Sequence, residues 1–220
     1  MDILKLLGQI IRKVYRGIKG KPYILSLKEN LTDCRTILDL GCGRSSPIEA
    51  LSKNVYSVGV EIFKPAILQS KEKRIHNDYI LAEMNNLCFR PKSFDAVLAL
   101  DVLEHLKKAE GLHLIKSMEK IARNKVVIFT PNGFVPQAKY DKNVFQIHLS
   151  GWTVNELKRM GYKVNGINGL KILRKEKAEL RFRPATLFCR LADISQKLTY
   201  HFPHIAFQLL CVKLLRQNDK

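Results

Sequence analysis

Apolar residues in this chain follow two rhythms. Short apolar runs, closed by glycine, proline or acidic residues, occur at 37–40, 55–60, 79–82, 94–100, 125–130 and 162–167. Runs of this kind predict strands, and the nearly unbroken 94–100 (FDAVLAL) predicts a central parallel one. Between them, apolar residues recur at helical spacing over 23–30, 64–73, 109–122, 153–160 and 185–200,. IEALSK, after Pro47, predicts a further helix, and Thr153 with Glu156 matches a capping box,. Strands alternating with helices predict an α/β fold with a largely parallel sheet. At the end of the chain, 205–216 is an apolar run that fits strand or helix, with 210–215 the candidate for a last strand.

Composition adds two points. Apolar residues make up 46% of 220 residues, enough for one ordinary α/β domain,. Five scattered cysteines with no C-x-x-C predict reduced thiols and a cytoplasmic protein, not a disulfide frame or zinc site,. The formal net charge of +18 is unevenly placed: 36–100 hold 8 basic and 7 acidic residues, whereas 151–220 hold 14 basic and 5 acidic. Residues 2–20 set Ile3, Leu6, Leu7, Ile10, Val14 and Ile18 at helical spacing with lysines and arginines between. Such a helix either caps the sheet or lies on anionic lipid. These features divide the chain into an amphipathic segment at 1–34 and one domain at 35–220. Something anionic is expected to meet its basic ends.

Chemistry gathers where the predicted strands stop. The first ends in Gly41-Cys42-Gly43, where the backbone can turn sharply and approach a ligand with no Cβ between,. That joint is where open α/β sheets bind nucleotide-like ligands. Glu61 closes the second strand 18 residues past Gly43, where a carboxylate can accept from both ribose hydroxyls,. The dinucleotide pattern G-x-G-x-x-G is left incomplete, because Ser46 occupies its third glycine,.

Taken in order, Leu38-Asp39-Leu40-Gly41-Cys42-Gly43, Val58-Gly59-Val60-Glu61, Glu83 four residues before Leu87-Cys88-Phe89, Ser93-Phe94-Asp95 and Asp101-Val102-Leu103-Glu104-His105 resemble class I S-adenosylmethionine-dependent methyltransferases. The likeness is to their small-molecule, type 11-like branch and covers 35–133. It implies a Rossmann-like seven-stranded sheet whose antiparallel last strand returns between the fifth and sixth. It also implies S-adenosyl-L-methionine as cofactor. By position, Gly41, Cys42, Gly43 and Asp39 would hold its amino-acid end, Glu61 the ribose, and Ile62 an adenine face. Glu83 and the Met84 amide would meet the adenine edge, and Asp101 and Val102 would lie near the sulfonium. Ser45 stands where the family often has a third glycine, and Glu83 replaces the usual aspartate. Asp101-Val102-Leu103 replaces the D/N-P-P-Y/F run of amino-methylating DNA enzymes.

The acceptor side, 134–220, is expected to hold a loop over the sheet edge, a basic insertion at 175–203 and the last strand. His148 and His105 are the candidate general bases, although transfer from an activated sulfonium needs only alignment when the acceptor is nucleophilic. No metal site is expected from the histidine spacing. Two acceptor classes fit the charge: a small or lipid-like molecule at an anionic membrane, met through 2–20 and 171–203, or RNA. A non-catalytic binding protein with this fold is the third reading.

Overall fold

The computed structural model describes residues 22–51, 55–84, 88–139, 143–175 and 178–215. The predicted amphipathic helix at 2–20 lies outside them. Seven strands form one sheet in the order β3-β2-β1-β4-β5-β7-β6. They are β1 (Thr36–Leu40), β2 (Tyr56–Glu61), β3 (Asp78–Leu81), β4 (Phe94–Leu100), β5 (Ala122–Pro131), β6 (Lys163–Leu170) and β7 (Ala206–Leu214). The first five pair in parallel, and β7 runs antiparallel to both β5 and β6. The terminal apolar run is therefore a strand, set between the fifth and the sixth as expected.

All seven residues of β4 are buried, including Asp95. Its carboxylate accepts from the Arg35 and Thr36 amides at 2.9 and 3.1 Å, fastening β4 to the entry of β1. Helices α1 (Tyr23–Leu31), α2 (Lys64–Glu72), α3 (Lys108–Ile121), α4 (Val154–Arg159) and α5 (Ala185–His201) complete the layers. α1 adds Leu27 and Leu31 to the apolar cluster on one face of the sheet. α3 adds Leu114, Ile115, Met118 and Ile121 to the other.

Two elements depart from the pattern. IEALSK does not make an α-helix: Pro47–Ala50 is one 3-10 turn, after which Leu51 is extended. Ile48 is buried and Leu51 packs half-buried on the same cluster from the extended chain, so among the described residues the run reaches the core without a second helical turn. α5 is turned inside out. It lays Ala192, Gln196 and Thr199 on β6, while Leu187, Leu191, Ile194 and Leu198 stay 50, 42, 40 and 51% exposed among the described residues. The docking is polar and close. Gln196 donates to the Gly166 carbonyl and accepts from the Gly169 amide, both at 2.9 Å. A Cβ on Gly166 would lie 2.2 Å from the Thr199 carbonyl.

Candidate functional site

At the carboxyl edge of the sheet lies a cavity of about 300 Å3, walled by Tyr23, Asp39, residues 41–47, Glu61, Ala66, Leu100, Asp101, Asn143 and Gln146. Gly41 and Gly43 both have positive φ, at 68° and 57°. A Cβ on Gly41 would strike Val102 at 2.6 Å, whereas one on Gly43 would meet nothing within 4 Å. Gly41 is thus fixed by packing, and Gly43 opens the floor of the cavity. Glu61 is oriented by the same turn, its two carboxylate oxygens accepting from the Gly43 and Phe63 amides at 2.9 Å each. Each carboxylate oxygen has a second lone pair, so ribose hydroxyls can still be accepted.

Asp39 is buried and already engaged. Ser46 donates to it at 2.6 Å, and His76 Nε2 stands 3.0 Å away. Ser46 also accepts from the Ile48 amide. The residue that spoils the dinucleotide pattern is therefore the cap of the turn and the clamp on Asp39. The Cys42 thiol is pushed up by burial first, then by the charges of Asp39 and Glu61, which keeps it protonated and unreactive,.

A second cavity, of about 390 Å3, abuts the first and shares Tyr23, Asp101 and Gln146 with it. Its other walls include Glu104, His105, His148, Phe129, Phe207 and Gln208. Asp101 sits in the shared wall in a left-handed conformation, φ 55°, which a non-glycine residue adopts only under constraint,. Gln208 on β7 supplies that constraint, donating to its Oδ1 at 3.0 Å. Asp101 is exposed to the two cavities, and the protein walls around them disfavour its charged form and push the carboxyl up. Glu104, hydrogen-bonded to it, is driven well above the usual carboxylate range by burial first and then by the Asp101 charge.

His105 and His148 meet edge to face, ring centres 4.8 Å apart. His105 Nδ1 lies 3.2 Å from the Ile147 carbonyl, and His148 Nδ1 2.6 Å from that of Val135. Burial first, then His148, pulls His105 down to about 4, so the ring is neutral near pH 7.

Of the positions carried over from sequence, Asp39, Gly41, Cys42, Gly43, Glu61 and Asp101 converge on the first cavity, and His105 and His148 on the second. Ile62, Glu83, Met84 and Val102 line neither. Glu83 is exposed, and Met84 and Val102 pack on Gly41. Sequence alone missed Tyr23. Stacked on Phe129 with centroids 4.0 Å apart, it reaches both cavities from α1. Its buried hydroxyl has no hydrogen-bond partner among the described residues. Burial, with Asp101 and Asp39 nearby, raises its pKa. Gln208 was also missed, and no local pattern distinguishes it, whereas Gln146 opens the distinctive stretch 146–152 of the acceptor-side loop.

Residues 38–130 match a family model described as a methyltransferase domain. Over 199 residues the chain is 24% identical to a sterol 24-C-methyltransferase of Clavispora lusitaniae, covering 82% of this chain and 48% of that protein. A tRNA (carboxymethyluridine(34)-5-O)-methyltransferase of Arabidopsis thaliana is 28% identical over 114 residues, 52% of this chain and 26% of its own. The chain thus spans about half or less of the length of these curated relatives. A solved S-adenosylmethionine-dependent methyltransferase of Archaeoglobus fulgidus superposes at a TM-score of 0.56 with 17% identity, covering 87% of this chain and 94% of that one, a likeness of fold.

Proposed function

We propose, for a chain that belongs to the class I S-adenosylmethionine-dependent methyltransferases, that it transfers a methyl group to a small lipid-like acceptor drawn from an anionic membrane surface. The residues of the first cavity fit the cofactor: Gly43 leaves the floor open, and Glu61 is pre-set by two amides with lone pairs to spare. When bound, the cofactor supplies a methyl on an activated sulfonium. Tyr23, Asp101 and Gln146 form the wall that both cavities share, so they would set the approach of the acceptor. Alignment across that wall is what in-line displacement requires. Ile62, Glu83, Met84 and Val102 would support the adenine and the turn from behind.

The membrane part of the reading rests on one observation, the exposed stripe of α5. A helix that buries glutamine and threonine and exposes three leucines and one isoleucine has an apolar face that no other described residue covers,. Exposed Arg181, Arg183, Arg190 and Lys197 flank it, as suits anionic headgroups,. None of the helices among the described residues is long and apolar enough to cross a membrane, so the contact proposed is peripheral. The sterol enzyme aligned over 82% of this chain supports a lipid-like acceptor.

Radiolabelled cofactor incubated with the chain and fractionated cell extract tests the proposal. Label is expected in the lipid fraction, and flotation is expected with anionic but not neutral vesicles. Label in RNA would overturn the lipid reading, and label in no fraction would overturn methyl transfer.

A further inference from the structure

Glu104, His105 and His148 have no part in holding the cofactor, yet they form the most convergent group of side chains in the second cavity. We propose that they bind a divalent first-row transition ion, such as Mn2+ or Zn2+, in the wall of the acceptor cavity. Their ligating atoms lie within 4.8 Å of one another. An ion with bonds of about 2.1 Å holds neighbouring ligand atoms about 3.0–3.4 Å apart, so closure asks an inward movement of about 1 Å or a little more.

The surroundings are built for that movement. A carbonyl can only accept, so the bonds to Ile147 and Val135 put the proton of each ring on Nδ1 and the lone pair on Nε2,. Metal-ligating histidines are oriented in this way, the second nitrogen donating to a carbonyl. Thr130 Oγ1 orients the carboxylate, donating to Glu104 Oε2 at 3.1 Å. The loop that carries His148 is fastened to the turn that carries the other two. Leu149 and Ser150 amides donate to the Glu104 carbonyl at 2.7 and 3.1 Å, and Ser150 Oγ to that of Leu103 at 3.1 Å. Residues far apart in sequence are thus held as one group by bonds to the backbone of the Glu104 turn. The Glu104 carboxyl is itself bonded to Thr130 and Asp101 and would give up its hydrogen bond with Asp101 to an ion.

Two imidazoles and one carboxylate suit manganese, iron, cobalt or zinc better than calcium or magnesium, which prefer all-oxygen sets. Three protein ligands leave positions open, as at ions that handle substrate. Here those positions face the acceptor cavity. On the methyl-transfer reading, which this site deepens, an open position takes a hydroxyl oxygen of the acceptor. The ion favours loss of the hydroxyl proton to cavity water. The oxygen then forms its bond to the methyl carbon as the carbon–sulfur bond breaks, and that electron pair returns to sulfur. The products are a neutral thioether and a methyl ether, so the acceptor is narrowed to an alcohol or phenol.

The test needs no acceptor. Chelator-stripped protein is titrated with Mn2+, followed by electron paramagnetic resonance, and with Co2+, followed by visible absorption. We expect one ion per chain, with binding weakened at least about tenfold in His105→Ala and in His148→Ala. His113→Ala and His204→Ala should leave it unchanged. Calorimetry with the demethylated cofactor checks that each variant still folds. Failure of the unmodified chain to bind either ion, or binding that survives both substitutions in folded protein, overturns the site. That result leaves the methyl-transfer reading standing, because label transfer is measured separately.

Discussion

α3 and α5 are helices of similar length packed on the same sheet, and they use their side chains in opposite ways. α3 buries Leu114, Ile115, Met118 and Ile121 and turns Lys116 and Lys120 outward. α5 buries Ala192, Gln196 and Thr199 and turns its leucines outward. An apolar stripe reports a buried face, but it does not say whether the partner belongs to the same chain. For α3 the partner is the sheet. For α5 the sheet is met by hydrogen bonds and by close approach at two glycines, which leaves the stripe for another surface.

The sharpest way to break this contrast is to delete one leucine from each helix. Leu114→Ala should lower unfolding free energy by about 2–5 kcal/mol in urea titration, as loss of a fully packed leucine does,. Leu191→Ala should change it by no more than about 0.5 kcal/mol. Equal losses would mean that the α5 stripe is covered within the fold. On the donor side, Glu61→Ala should weaken demethylated-cofactor binding by roughly 1.5–3 kcal/mol in calorimetry, the worth of hydrogen bonds to a charged group. Unchanged affinity would remove Glu61 from the site. Gly166→Val should lower thermal stability by about 1–3 kcal/mol, because its Cβ collides with the α5 backbone,. A neutral result would show that α5 docks loosely. The smallest effect on folding, again within about 0.5 kcal/mol, is expected for Leu191→Glu combined with Leu198→Glu. The same pair should abolish flotation with anionic vesicles, and flotation that persists would move the membrane face elsewhere.

The contrast also separates what was legible in the sequence from what was not. The donor side is written locally. Gly43 and Glu61 stand one strand–turn–strand apart, and a single 2.9 Å bond joins them. Strand ends, glycines and acids therefore announced that these residues would line one cavity. The acceptor side converges from distant segments: Tyr23 from α1, Asp101 and Glu104 after β4, Gln208 from β7. Such meetings are set by strand order, which no local window contains. Ser46 shows the same limit at short range, since its place in a glycine pattern gave no sign of its bond to Asp39. IEALSK had helical spacing, but Leu51 meets the core from extended chain and not from a second turn.

The placement of β7 has a consequence for the order in which the molecule assembles. β6 has one neighbour in the sheet, and that neighbour is the strand made after it. While the chain leaves the ribosome, β1 to β5 can pair as they emerge, but β6 must wait without a ladder. Gln208, which holds Asp101, arrives on the same late strand. The strands that carry Gly43 and Glu61 can therefore pair early, whereas Asp101 gains its bond from Gln208 only when β7 joins the sheet.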